Sequence, residues 1–194
     1  MLTHLLYLHG FRSSPQSFKA QRLQAWMREH RPAVQWWCPQ LPPSPRAAMA
    51  LLSDGIRAWP ACTAAVVGSS LGGFYATAVA EATGWPAVLI NPAVDPARDL
   101  AAYVGELSAF HNPQHRFLFR AEYLEELRAL TVPAITRPER YLAVIAKGDE
   151  LLSWREMSAR YAGSGLRLIE GSDHALSDFE DHLPHLLKFL KLCN

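Results

Sequence analysis

Short apolar runs alternate with longer amphipathic segments along this chain. The apolar runs are continuous rather than alternating, which is typical of strands buried on both faces of a parallel sheet. They cover residues 4–10, 64–70, 87–93, 141–148 and 166–172, with 34–40 as a weaker sixth. Helices are predicted between them over residues 16–29, 46–58, 71–83, 153–162 and 178–192. Strands that alternate with helices indicate an α/β fold with a mostly parallel sheet.

Residues 94–138 interrupt this alternation. No strand pattern is visible there, and the apolar residues repeat at helical spacing instead. They are Leu100, Tyr103, Val104, Leu107 and Phe110, followed by Tyr123, Leu124, Leu127 and Leu130. The pattern predicts a helical insertion of two helices. The insertion either covers the crevice at the carboxyl ends of the strands as a lid or packs against the sheet, and the sequence leaves both readings open.

Composition narrows the function classes. A chain of 194 residues that is 49% hydrophobic suits one domain over residues 1–194. The net charge of +1 gives no field that would attract nucleic acid or an anionic membrane. Three cysteines without metal-binding or disulfide spacing predict neither a zinc site nor a disulfide framework, and favour a cytoplasmic location. No segment is apolar for long enough to insert into a membrane, and the N-terminal residues do not resemble a signal peptide. The sequence does not indicate an oligomeric state.

The stretch Gly68-Ser69-Ser70-Leu71-Gly72 matches the G-x-S-x-G pattern of a nucleophile elbow. A predicted strand precedes it and a predicted helix follows, which is the context that this motif needs. The serine of such an elbow takes a strained backbone conformation, and the two flanking glycines leave room for it. The alternative is a plain glycine-rich turn. We expect Ser70 to be a nucleophile.

A serine hydroxyl needs a base and an acid that orients the base. His174 follows the last predicted strand and lies in the loop where the base is expected. Asp149 directly follows the preceding strand, and it is the preferred acid. Glu150, Asp173 and especially Asp95, which follows the strand at 87–93, remain alternatives.

Two backbone N–H groups must also stabilise the oxyanion. Leu71 follows the nucleophile and supplies one group, and Phe11, in the loop after the first strand, is the expected second donor. Gly10 would let this loop approach the substrate. Gly10, Phe11 and Tyr75 are candidate substrate-binding residues, although Phe11 and Tyr75, taken singly, fit the pattern of ordinary core residues better.

These residues resemble the α/β-hydrolase superfamily, and more narrowly its small YqiA-type esterases. The resemblance is carried by five stretches spread over most of the chain. They are YLHGFRSSPQSFKAQ (7–21), GSSLGGFYA (68–76), INPAVDP (90–96), KGDELLSWREM (147–157) and GSDHALSDFEDHLP (171–184). It implies a reduced α/β-hydrolase fold with about six or seven strands. It further implies Ser70, Asp149 and His174 as nucleophile, acid and base, with neither a metal nor an organic cofactor. Residues 111–119 depart from the family pattern, so the resemblance does not fix the substrate preference.

The sequence therefore predicts a serine hydrolase that cleaves small acyl esters or acyl thioesters through an acyl-enzyme on Ser70. Acyl transfer to an acceptor other than water would share the first half of this reaction. A binding protein without catalysis on the same fold is the alternative from a different class. Such proteins usually lack one member of the triad, whereas all three candidates are present here.

Overall fold

The structure is a computed structural model that describes residues 1–193. Its strands are β1 (His4–Leu8), β2 (Gln35–Trp37), β3 (Ala64–Ser69), β4 (Ala87–Ile90), β5 (Gly105–Ser108), β6 (Arg116–Phe119), β7 (Tyr141–Ala146) and β8 (Gly165–Ile169). Its helices are α1 (Phe18–His30), α2 (Pro45–Ile56), α3 (Leu71–Thr83), α4 (Pro96–Asp99), α5 (Glu122–Leu130), α6 (Trp154–Arg160) and α7 (Phe179–Phe189).

Six strands form one sheet in the order β2-β1-β3-β4-β7-β8, and every neighbouring pair is parallel. The expected α/β fold is confirmed. The chain leaves β1 toward one edge of the sheet and returns to place β3 on the other side of β1. Loops that follow β1 and β3 therefore diverge to opposite faces and leave a crevice at their carboxyl ends, which is where open α/β sheets bind ligands.

Successive residues of each central strand point into different helical layers. Leu6 and Val66 pack with α2 and α3 on one face, while Leu5 and Val67 pack with α1 and α7 on the other. Strand β3 is buried along its whole length, which explains why the strand sequences are continuous apolar runs. The buried sheet thus carries the loops after β1 and β3 at its carboxyl edge.

The prediction that residues 94–138 are helical is wrong in the middle of that segment. Strands β5 and β6 form an antiparallel hairpin there, with Leu107 opposite Phe117. Leu107, Phe117 and Phe119 pack inward against the core while Leu118 is exposed, so the true period of this segment is two. Strands of only four residues cannot be separated from a helix by their apolar spacing alone. The second apolar run does form a helix, α5.

Candidate active site

Ser70 lies on a strained turn between β3 and α3. Its φ of 57° and ψ of −123° fall outside the regions that residues with a side chain normally adopt. Backbone hydrogen bonds hold it there. The Ser70 N–H donates to the carbonyl of Ile90 at 2.9 Å, and its own carbonyl accepts from Gly73 at 2.8 Å and Ala93 at 3.1 Å. The strain is thus supported by α3 and by the end of β4.

The two glycines of the motif are sterically required. A Cβ at Gly68 would lie 2.2 Å from the Gly72 carbonyl oxygen, and one at Gly72 would lie 2.0 Å from the carbonyl oxygen of Leu8. Both distances are far below van der Waals contact, and both clashes are with backbone. The helix after the serine can therefore approach the sheet closely only because these positions lack side chains.

The structure brings Ser70, His174 and Asp149 together although they are distant in sequence. The Nε2 atom of His174 is 2.9 Å from the Ser70 Oγ, and its Nδ1 is 2.8 Å from Oδ2 of Asp149. The Asp149 side chain is fully buried. A carboxylate only accepts hydrogen bonds, so Nδ1 carries the proton and Nε2 presents its lone pair to the serine hydroxyl.

The other Asp149 oxygen, Oδ1, accepts hydrogen bonds from the N–H groups of Leu151 at 2.9 Å and Leu152 at 2.8 Å. These bonds fix the orientation of the carboxylate and satisfy its buried oxygen. Burial without them would be costly. Two backbone N–H groups thus hold one oxygen of Asp149 in place while the other oxygen contacts the imidazole of His174.

The alternative acids have other partners. Asp95 accepts a bond from the backbone N–H of Arg98 at 3.2 Å and caps helix α4. Asp173 binds the hydroxyl of Ser177, which lowers the pKa of Asp173. Glu150 accepts the backbone N–H of His174 at 2.9 Å and so contacts the loop rather than the ring. None of these three bonds involves the imidazole.

Asn91, which the sequence analysis did not single out, supports the histidine loop. It is fully buried with a positive φ of 41°. Its Oδ1 accepts the N–H of Ala146 at 2.8 Å, and its Nδ2 donates to the carbonyls of Asp173 at 3.0 Å and His174 at 3.1 Å. One amide thus joins the end of β7 to the loop that carries His174. The only sequence signal was an asparagine at the end of a strand, since asparagine tolerates positive φ.

The loop after β1 lies directly against the serine. A Cβ at Gly10 would be 3.1 Å from the Cβ of Ser70. Among residues 1–193, neither the N–H of Phe11 nor that of Leu71 has a hydrogen-bond acceptor. Two free donors therefore flank the serine at the positions expected for oxyanion stabilisation.

His9 shapes this loop. It is buried, its Nδ1 lies 3.0 Å from the Gly10 carbonyl, and its Nε2 accepts from the N–H of Leu41 at 3.1 Å. Burial lowers the pKa of His9, although the bond to Gly10 opposes that change. A neutral ring with both nitrogens engaged is a structural group.

Two cavities lie on either side of the loop 9–13. The serine cavity, about 350 Å³, is bordered by Ser70 and His174 and by Tyr103, Phe110 and Leu151. The hairpin cavity, about 330 Å³, is bordered by Tyr75, Leu71 and Phe117, and Gly10 and Phe11 line both cavities. Tyr75 thus contacts only the second space. Within residues 1–193 no cluster of side chains suited to a metal ion is present.

The β5–β6 hairpin is attached to the same loop. The ring of Phe11 meets those of Phe117 and Phe119 edge-on, with centroid distances of 6.4 Å and 5.0 Å. The Nε of Arg12 donates to the carbonyl of Ser108 at 2.8 Å, and the N–H of Phe110 donates to the carbonyl of Arg12 at 2.9 Å. The ring of Phe11 therefore anchors the hairpin to this loop, while its backbone N–H has no acceptor among residues 1–193.

Comparison with known protein families identifies the family of this chain. Residues 4–191 match the model of UPF0227, described as an uncharacterised protein family. The chain belongs to the UPF0227 family. This is the YqiA family, so the resemblance noted from the sequence is confirmed. The matched range contains Phe11, Ser70, Asp149 and His174.

Solved structures support the α/β-hydrolase fold of this UPF0227 chain. A structure from work on LipS and LipT, two metagenome-derived lipolytic enzymes, aligns with a TM-score of 0.74 at 21% identity, covering 98% of this chain and 94% of that one. Est1E from Butyrivibrio proteoclasticus with bound ferulic acid gives 0.69 at 15% identity, covering 98% and 88%. Mouse alpha/beta hydrolase domain-containing protein 10 gives 0.68 at 14%, covering 98% and 90%.

Proposed function

We propose that this protein is a serine hydrolase that cleaves carboxylic acyl esters or acyl thioesters through an acyl-enzyme on Ser70. The observation that carries the proposal is the continuous chain of hydrogen bonds from Ser70 through His174 to the buried Asp149. Such an arrangement turns a weak hydroxyl into a nucleophile.

In the proposed first half-reaction the Ser70 Oγ attacks the carbonyl carbon of the ester. His174 Nε2 takes the hydroxyl proton, and Asp149 stabilises the imidazolium that forms. The N–H groups of Phe11 and Leu71 donate to the carbonyl oxygen as it becomes negative. The bond to the leaving group then breaks, and His174 returns the proton to the departing alcohol or thiol.

In the second half-reaction a water molecule attacks the acyl carbon. His174 takes one proton from this water, and the bond between Ser70 Oγ and the acyl carbon breaks. The histidine then gives that proton to Ser70, so the carboxylic acid leaves and the free enzyme is restored. Transfer of the acyl group to an acceptor other than water would share the first half-reaction and differ only in this second step.

The test is hydrolysis of para-nitrophenyl acetate, hexanoate and decanoate and of the matching acyl-CoA thioesters. Replacing Ser70 by alanine should lower kcat at least about a thousandfold. Asp149→Asn should lower it by roughly 10³ to 10⁴ because the imidazole loses its orienting acceptor.

The matched control is Asp95→Asn, which alters a carboxylate that caps α4 but does not contact His174. This variant should keep near wild-type activity. Loss of activity in Asp95→Asn alone would move the acid to Asp95, and a Ser70→Ala protein as active as wild type would refute the proposal.

A further inference from the structure

The segment of residues 171–177 carries His174 and connects β8 to α7, and we call it the histidine loop. Three of its residues have a left-handed backbone, since the φ values of Gly171, Ser172 and Leu176 are 77°, 58° and 52°. Ser172 and Leu176 carry side chains, so this conformation is strained and persists only where surrounding contacts hold it. The position of the His174 ring therefore depends on bonds from other elements.

Three successive carbonyls of the histidine loop accept hydrogen bonds from distant side chains. Nδ2 of Asn91 donates to the carbonyls of Asp173 at 3.0 Å and His174 at 3.1 Å. The ammonium group of Lys19, on α1, donates to the next carbonyl, that of Ala175. Side chains from two elements that are far apart in sequence thus replace the backbone bonds that a helix or a strand would supply here.

Helix α1 is a well-packed base for Lys19. Leu23 and Met27 of α1 are buried in the same core layer as residues of α7. On the surface, Nε of Arg22 pairs with the carboxylate of Glu180 on α7 at 2.5 Å. Since α7 follows the histidine loop, Lys19 joins this loop to an element that is already packed against the helix beyond it.

The bond from Lys19 lies beside the reacting atoms. Lys19 borders the serine cavity together with Ser70 and His174. Its acceptor, Ala175, is one residue beyond His174, whose Nε2 atom is 2.9 Å from the Ser70 Oγ. A shift of the Ala175 carbonyl would therefore move the imidazole relative to the hydroxyl that it must deprotonate.

Lys19 makes this bond with a charged donor. It forms no ion pair with any of residues 1–193, so the carbonyl of Ala175 is the partner of its ammonium group. Burial lowers the pKa of Lys19 to about 8, although Asp173 and Asp149 act in the opposite direction. A charged donor binds a carbonyl about twice as strongly as a neutral one. The stronger bond and the two carboxylates thus offset part of the desolvation cost of the ammonium group.

We propose that Lys19 is a positioning residue of the reaction, whose ammonium group holds the histidine loop so that Nε2 of His174 stays within hydrogen-bonding distance of Ser70. Lys19 acts through the loop and takes no part in proton transfer. This inference rests on the proposed function, because it concerns the same reaction. Asn91 supports the loop with a neutral amide, whereas Lys19 supports it with a charge, which makes its contribution dependent on pH.

Three variants separate the charge of Lys19 from its hydrogen bond. Lys19→Met removes both, Lys19→Gln keeps a neutral donor, and Lys19→Arg keeps a charged one. Lys188→Met is the matched control, since it removes an exposed lysine of α7 that lies outside the cavity. The readouts are kcat and KM for para-nitrophenyl acetate, and the rate of hydrogen exchange in a peptide that contains residues 171–177.

Lys19→Met should lower kcat about tenfold to a hundredfold and change KM less than about threefold, because a displaced catalytic group slows the reaction more than it weakens binding. Lys19→Arg should recover most of the loss, and Lys19→Gln only part of it. The amides of the histidine loop should exchange about tenfold faster in Lys19→Met. Lys188→Met should match wild type in every readout. Should Lys19→Met fail to fold, Lys19→Gln takes its place in each comparison.

The pH profile tests the charge. The pKa of Lys19, about 8 instead of the ordinary 10.5, leaves the amine charged at neutral pH and uncharged well above pH 8. The ratio of kcat between wild type and Lys19→Met should fall about threefold to tenfold between about pH 7 and pH 9.5, because a neutral amine donates a weaker bond.

Other titratable groups surround Lys19, and both proteins contain all of them, so their titration largely cancels in this ratio. Asp149 and Asp173 act on Lys19 directly, and Arg22 and Glu180 pair between α1 and α7. The remaining ones line the serine cavity and are Tyr7, His9, Arg12, Asp99, Tyr103 and His174.

A kcat that Lys19→Met does not lower, or an effect on KM alone, would overturn the positioning role. A ratio that stays constant up to about pH 10 would overturn the role of the charge. The exchange measurement separates this inference from the proposed function. If no form of the protein hydrolyses an ester, the proposed function fails, whereas unchanged exchange of the histidine loop in Lys19→Met would by itself contradict the support from Lys19.

Discussion

At the scale of single residues, the candidate site depends on a few buried polar groups that hold reactive atoms at fixed distances. Asn91 uses both ends of its amide to connect β7 with the loop that carries His174. The residue combines complete burial with a left-handed backbone. Because glycine also adopts this backbone freely, Asn91→Gly removes the three bonds without adding strain.

We expect Asn91→Gly to lower kcat about tenfold to a hundredfold with little change in KM, because small displacements of a catalytic group are costly. The rate should be expressed per active site titrated with a phosphonate. The control is Thr77→Val, which breaks buried bonds to Gly73 and Tyr161 away from the histidine loop. An equal loss of stability in both variants with an unchanged kcat in Asn91→Gly would show that Asn91 serves only the fold.

At the scale of elements, the β5–β6 hairpin determines the shape of both cavities. It is attached to the loop 9–13 through Phe11 and Arg12, and Phe110 at its tip is 67% exposed beside the serine cavity. The hairpin could move as a lid only by releasing these contacts. We therefore expect it to act as a wall that contacts the acyl chain.

Phe110→Ala should lower kcat/KM for the octanoate ester roughly threefold to tenfold relative to the acetate ester, because apolar contact with the chain is lost. Leu118→Ala is the matched control, since Leu118 is an exposed apolar residue of the same hairpin that lines neither cavity. Equal chain-length profiles for the two variants would remove the hairpin from the acyl site.

The sequence predicted the elements with long or strongly marked patterns and missed those with short ones. Helix α3 spans Leu71–Thr83, the predicted range, since an elbow motif defines its start and Gly84 with a φ of 77° ends it. The hairpin was missed because four-residue strands carry too few positions to reveal their period. The proximity of Ser70, Asp149 and His174 was predictable because each follows a strand of the same parallel sheet. Asn91 was not, since its role depends on contacts between loops distant in sequence.

At the scale of the whole molecule, the six-stranded sheet carries the loops that contain Ser70, Asp149 and His174. Helices cover both of its faces, and the central strands contribute alternate residues to each layer. Leu23 on α1 and Leu52 on α2 are both completely buried and lie on opposite faces. If the chain is a single domain, these two layers should unfold together.

Leu23→Ala and Leu52→Ala should each lower the free energy of unfolding by about 2 to 5 kcal/mol, the usual cost of a large cavity in a core. Circular dichroism and tryptophan fluorescence in urea should follow one coincident transition for both variants. Two separate transitions, with each variant shifting only one of them, would indicate layers that fold independently.

The central claim is that Ser70 is a nucleophile activated by His174, and covalent labelling tests it most directly. A fluorophosphonate probe should form a single adduct that peptide mass spectrometry assigns to Ser70. The adduct should be lost in His174→Ala while that variant remains folded. An unlabelled, folded wild-type protein, or an adduct on another residue, would contradict the account.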